Sequence, residues 1–478
     1  MITSATADRP YSTRLRTALV LTGTGTAGAY HAGVLRALHE AGVKVDIVAG
    51  RGIGVTGAMF AAVDGGARLW EENGIWKAPG SARYYKWRPA VRVAVGSLIA
   101  ACLILAVPLA LLALAVVVGV VGMVLTLVGL VGAGTAATTG YARWIETLFS
   151  PGALPMVIPR LVLFAVVAAI VALAVSLAST RLRTPKRRTR RGFWWRLFGA
   201  PLAPSALFER CTTELWSLIR GAAPLPAPPP VELARKYVEL LGENLGQPGF
   251  RELLVAVHDM DARRDIVLAM LGDAHRHRFL AARPSSAYDV PRHAEALDLS
   301  GAARDHALDA LAAALAIPLA TEPHLMTFAQ EGPWRGETHR LCDRPGALAR
   351  VLEEVAAAGA EQVIVLSACA PPARAHELSA GRADLRGLAG EQLVAFETAA
   401  LRDIVEQFAP RFAGLFVIRP FHNPLGPLDF AGAYDERSDR IHTVTELCDR
   451  GYEDAYRQFI EPVVGASGEQ IVTQPVRR

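Results

Sequence analysis

Cysteine is scarce in this 478-residue chain. The five residues, Cys102, Cys211, Cys342, Cys369 and Cys448, are odd in number and form no CxxC pair. Such a count speaks against a disulfide framework and a cysteine-based zinc site, and it fits a reducing compartment. Charge is missing from two long stretches: no Asp, Glu, Lys, Arg or His occurs from Val93 to Gly140, or from Leu161 to Thr180. Acid is missing from Arg181 to Arg191, where seven residues are basic. A signal peptide is not expected either, because the first apolar run, Ala18–Leu21, is far too short.

What is present fits those gaps. Hydrophobic residues make up 52% of the chain and charged residues 20%, values that suit a globular protein carrying membrane segments. The net charge of +5 is concentrated in the Arg181–Arg191 run. That run reads as a membrane-surface flank, and no nucleic-acid partner is expected. A bilayer core needs about 20 apolar residues. The second uncharged stretch fits one span; the first is too long for one upright span and barely long enough for two. Arg83, Lys86, Arg88 and Arg92 precede the first stretch, and the basic run follows the second. The positive-inside rule then places both flanks and both termini in the cytoplasm and requires an even number of crossings. The expectation is an integral membrane hairpin over residues 93–180. One long helix, bent at Pro108, and one return helix would leave 133–160 outside, with Trp144 and Phe149 at the interface.

Elsewhere the pattern is α/β. Apolar runs at Ala18–Leu21, Val45–Ala49, Leu253–Val257, Val363–Leu366 and Leu415–Ile418 read as buried strands, with helical patterns between them at Ala29–Ala41 and Leu348–Ala358. This alternation predicts a mostly parallel sheet with helices on both faces, interrupted by the hairpin. The expected units are 15–80 and 231–420 as two parts of one α/β domain, and 181–230 as a basic flank with the Pro-rich linker Pro224–Pro230. A C-terminal extension, 421–478, completes them and is weakly structured beyond Pro462.

Gly23-Thr24-Gly25-Thr26-Ala27-Gly28 follows the first strand and opens a helix. Glycines there allow a sharp turn and leave N–H groups at a helix N-terminus, a setting that stabilises a phosphate or an oxyanion. A dinucleotide site would need an acid at the end of the second strand, and Asp46 precedes most of that strand instead. After the second strand comes Gly50-Arg51-Gly52-Ile53-Gly54 and then a helical stretch. Strand, G-x-x-x-G, helix is the layout of a nucleophile elbow.

The run from Leu19 to Ala62, including GAYHAGVLRALHEAGVKVDIVAG, resembles the patatin-like phospholipase family. The resemblance implies a patatin-like α/β fold, lipid acyl ester hydrolysis, and an oxyanion hole from Gly23, Thr24, Gly25, Thr26 and Gly28. It also implies an elbow at Gly50, Gly52 and Gly54, with no metal and no cofactor. The family's Ser–Asp dyad takes its aspartate from a later motif, and the counterpart here is Asp343 in Leu341-Cys342-Asp343-Arg344-Pro345. Three departures stand out. Gly52 occupies the serine position, Ala27 stands where Arg or Lys is usual, and Asp343 is followed by Arg344-Pro345 instead of two small residues. Thr56, one turn after Gly52, lies inside the helix and is a poor substitute nucleophile. His258-Asp259-Met260-Asp261 reads as a strand-end hydrogen-bond cluster more readily than as a metal site. The expectation is a membrane-anchored, patatin-like protein without hydrolytic activity, binding membrane lipid or an acyl-ester ligand. Two alternatives stand beside it: an active lipid ester hydrolase with an unrecognised nucleophile, and a dinucleotide-binding membrane protein. On the inactive reading Gly52→Ser alone restores little, because Thr24 and Thr26 misalign the loop and Arg344 weakens Asp343 as a base.

Overall fold

The computed structural model describes residues 11–183, 199–281, 294–331, 334–375, 384–435 and 438–465. It falls into two compact units, Met1–Lys86 with Leu202–Arg478, and Trp87–Pro201. The basic run beyond Arg183 and the segment after Gly465 lie outside the described residues.

In the first unit the apolar runs become strands because both of their faces are covered. They are β1 (Thr17–Thr22), β2 (Ile47–Arg51), β3 (Glu252–Asp259), β4 (Arg264–Met270), β5 (Ala294–Asp298), β6 (His324–Thr327), β7 (Thr338–Cys342), β8 (Gln362–Ser367) and β9 (Gly414–Ile418). Among the described residues these nine form one sheet in the order β9-β8-β1-β2-β3-β4-β5. The run from β9 to β3 is parallel. β4 returns antiparallel to β3, and β7 pairs antiparallel with the end of β3 and with β6. A mostly parallel sheet is therefore present, with an antiparallel side that the apolar runs did not reveal. Alternation along β1 sends Leu19 and Leu21 into one apolar cluster and Ala18 and Val20 into the other.

The helices of this unit include α1 (Ala27–Glu40) and α2 (Gly54–Ala62) before the insertion. In the second unit α3 (Pro89–Leu127), α4 (Val131–Leu148) and α5 (Leu154–Arg183) follow. The first unit then resumes with α6 (Ser205–Arg220), α7 (Pro230–Asn244), α8 (Asp273–Leu280), α9 (Ala307–Ala314), α10 (Leu348–Ala357), α11 (Leu385–Phe408) and α12 (Val444–Ala455). A small hairpin, β10 (Ala433–Asp435) with β11 (Arg440–His442), precedes α12. α1 and α2 pack on one face of the sheet, and α10 and α11 on the other.

The second unit departs from the two-helix expectation. Helix α3 has 39 residues, which at 1.5 Å each is about 58 Å, nearly twice a bilayer core. Gly129, with φ +91°, ends the turn after it. α4 then folds back along α3 over part of the segment expected outside. Tyr141 Oη donates to Leu111 O, and a Cβ placed on Gly122 would lie 2.7 Å from Thr138 Cγ2. Small residues thus let the two backbones approach closely. Helices α3 and α5 are long and apolar enough to cross a bilayer, and their side chains are largely exposed.

Candidate functional site

The Gly-rich loop and the elbow meet at the C-terminal ends of β1 and β2. Gly52 sits at φ +54°, the left-handed conformation that a strained strand-to-helix elbow requires. Gly50 and Gly54 permit close approach: a Cβ on Gly54 would fall 2.3 Å from Leu21 O, and one on Gly50 would fall 2.8 Å from the Gly54 backbone. The backbone shape of an elbow is present. At its apex a Cβ on Gly52 would lie 2.4 Å from Gly23 O and 2.7 Å from Asp343 Oδ2. Asp343 follows β7, its N–H donating to Ala316 O (2.9 Å), and its carboxylate reaches the apex from across the sheet end.

The space beside that carboxylate belongs to Arg51. Its Nη1 donates to Asp343 Oδ2 (2.9 Å), its Nη2 to Glu397 Oε1 (2.6 Å) and its Nε to Thr22 Oγ1 (2.8 Å). Thr24 Oγ1 donates to Glu397 Oε1 (2.6 Å) and lies 3.4 Å from Asp343 Oδ2. All three charged side chains are buried, Arg51 to 1% exposure. Burial works against the Arg51 charge, but Glu397 and Asp343 outweigh it and hold its pKa above the ordinary value. For Asp343, burial raises the pKa, Arg51 opposes the rise and Glu397 adds to it. Beside Arg51, Glu397, Ser367 and Leu348 the remaining cavity is about 10 Å³, room for roughly one water.

Two N–H groups beside the apex are committed as well. Thr26 N–H donates to Pro427 O (3.0 Å), and its hydroxyl donates to Gly426 O (2.9 Å). A Cβ on Gly25, at φ +58°, would fall 1.8 Å from that same Pro427 oxygen, so the 426–427 segment closes directly on the loop. Ile53 N–H, the donor that follows the apex, bonds Gly23 O (3.1 Å). Thr24 O and Gly25 O accept from Ala27 and Gly28 as the first turn of α1 begins. Gly28 serves packing: a Cβ there would meet Trp76 at 2.1 Å. Beneath the loop, His31 is fully buried, and burial pushes its pKa down to about 3, so the ring is neutral.

Several expectations about these residues need correction. Arg344 does not face Asp343 with its guanidinium; it pairs with Asp265 (2.9 and 2.6 Å). Thr24 and Thr26 do not strain the loop, because Gly23 and Gly25 take the positive φ values and Thr26 is helical at φ −63°. Asp46 lies at the opposite end of β1 from the Gly-rich loop. It accepts from Thr17 N–H (2.8 Å), a strand length of about 17 Å from the loop, so Asp46 does not serve the loop as the acid of a dinucleotide site. Thr56 is buried inside α2. The His258–Asp261 segment is a strand-end network. Asp259 accepts from Asp261 N–H (2.8 Å) and Ala262 N–H (3.0 Å) and pairs with His339 (2.5 Å), while His258 pairs with Asp265.

Arg51 and Glu397 went unnoticed in the sequence, although one signal existed. Arg51 is the only charge between Ile47 and Ala62, and a guanidinium in so apolar a run must find buried partners. No family profile matches this chain, and no curated protein matches it. Among solved structures, that of VipD from Legionella pneumophila is similar over 94% of this chain and 67% of VipD's, at 13% identity and a TM-score of 0.30.

Proposed function

We propose that this protein is a membrane-anchored relative of the patatin-like lipid acyl hydrolases whose elbow no longer hydrolyses esters. One observation carries the reading: at the apex, where a serine would stand, Gly52 faces an Asp343 carboxylate already bonded to the Arg51 guanidinium. Hydrolysis at an elbow needs a nucleophilic oxygen, a base free to take its proton and N–H groups free to hold the oxyanion. Here the oxygen is missing, the carboxylate is paired, and the N–H groups of Thr26 and Ile53 serve the chain's own carbonyls. Helices α3 and α5 would anchor the chain in the bilayer, with the α/β unit and both termini cytoplasmic and membrane lipid as its partner.

Purified protein should show no phospholipid hydrolysis above a heat-treated control. Turnover that Asp343→Ala abolishes would overturn the reading. Membrane anchoring has a separate test: the chain should stay with the membrane through alkaline carbonate, and reporters at the N-terminus and near residue 200 should both read inside. Release by carbonate would remove the anchor from the proposal.

A further inference from the structure

The hairpin β10–β11 and the first turn of α12 hold a second polar cluster, which the elbow reading does not use. Ser438 Oγ lies 2.9 Å from His442 Nε2, and His442 Nδ1 lies 2.8 Å from Glu446 Oε2. That is a hydroxyl, an imidazole and a carboxylate joined in line, each through the atom that nucleophilic catalysis requires. We propose that Ser438, His442 and Glu446 form a nucleophile, general base and orienting carboxylate that react with activated acyl esters.

The local fold explains the alignment. His442 and Glu446 are four residues apart across the start of α12, where Thr443 caps the helix by accepting from Glu446 N–H (3.3 Å). Ser438 stands in the hairpin turn, one residue before Asp439, whose φ is +50°. Tyr434 Oη donates to Asp439 Oδ1 (2.9 Å) and ties that turn to β10. His442 is buried, whereas Ser438 is exposed, so the base is fixed and the nucleophile is open to a ligand. Asp435 Oδ2 lies 2.9 Å from the same hydroxyl and 3.3 Å from His442 Nε2. It is a second acceptor for the serine proton, and with Glu446 it flanks the imidazolium that forms when the proton passes to Nε2. Among the described residues, His422 Nε2 lies 3.5 Å from Asp435, Arg440 lies 3.9 Å from Glu446, and Arg450 donates to His422 O.

The substrate class follows from the backbone at the turn. Ser438 N–H is already donated to Asp435 O (3.2 Å) and cannot hold an oxyanion, which restricts the site to esters with good leaving groups. In the reaction the serine proton passes to His442 Nε2 while Oγ bonds to the acyl carbon. The leaving alkoxide departs with that proton, and water, deprotonated by His442, then releases the acid.

The test is labelling of the full chain in detergent by a fluorophosphonate probe, with the site mapped by mass spectrometry, beside hydrolysis of p-nitrophenyl butyrate. The expected result is label on Ser438, lost in Ser438→Ala. Its rate should fall on the order of 10² in His442→Gln, with an unchanged melting temperature in Ser438→Ala. No label on Ser438, or label that His442→Gln leaves unchanged, would overturn the proposal. Butyrate ester hydrolysis lost in Ser438→Ala and kept in Asp343→Ala leaves the silent elbow intact; the reverse pattern would sink both.

Discussion

The elbow cluster and the hairpin cluster each join carboxylates to a basic side chain, and they differ in exposure to solvent. Arg51, Asp343 and Glu397 are buried, and a single guanidinium satisfies two carboxylates. Ser438 lies at the surface with His442 behind it. In the first cluster every charge depends on the other two, because a buried ion without its partner is expensive. In the second, one exposed side chain can change at little cost. On the proposed reading, an elbow backbone persists while its polar groups hold the fold together.

The strongest challenge to that contrast is Arg51→Ala. It would leave two carboxylates buried and unpaired, and a loss of about 3–5 kcal/mol is expected in denaturant unfolding. Arg51→Met combined with Asp343→Asn and Glu397→Gln should recover most of it. If Arg51→Ala alone is neutral, the cluster is not structural. Next comes Gly52→Ala, which forces a side chain at φ +54° against Gly23 O. Its expected cost is about 1–3 kcal/mol by the same measurement.

Asp309 tests a case of intermediate burial. It accepts from His306 (2.9 Å) and His324 (2.8 Å), and although burial works to raise its pKa, those hydrogen bonds hold it at about 2. A folded pKa below the unfolded value means stability that is present above about pH 4 and lost as the pH falls towards 2. Asp309→Asn should therefore cost on the order of 1–2 kcal/mol near neutral pH, after allowing for its partial exposure, and should flatten that acid limb. An unchanged acid limb would show that the histidines do not hold it. Smallest of all is Ser438→Ala, expected within about 0.5 kcal/mol of wild type.

How far these features were legible in the sequence depended on distance along the chain. Buried parallel strands announce themselves locally, since an apolar run such as Val363–Leu366 needs no partner to be noticed. The antiparallel return of β4 was missed because Arg264 and Asp265 break its pattern at one end. The order of elbow and later aspartate pointed to Asp343 near Gly52, and the carboxylate lies there. Glu397 was invisible because it pairs with Arg51 across 346 residues and sits in a helix with no motif around it. The closure by Pro427 on the Gly-rich loop was hidden for the same reason. Two uncharged stretches became three helices because Gly129, at φ +91°, turned the chain inside the first stretch.

The claim that the elbow is silent has its most direct test in Gly52→Ser, assayed on a long-chain phospholipid that needs a true oxyanion hole. The serine would have to displace Gly23 O or Asp343 and would find its base paired with Arg51 and the donors of Thr26 and Ile53 engaged. Removing one oxyanion donor alone costs roughly 10²–10³ in rate. The account predicts no hydrolysis above that of wild type. Strong hydrolysis by Gly52→Ser that disappears in Gly52→Ser with Asp343→Ala would contradict it.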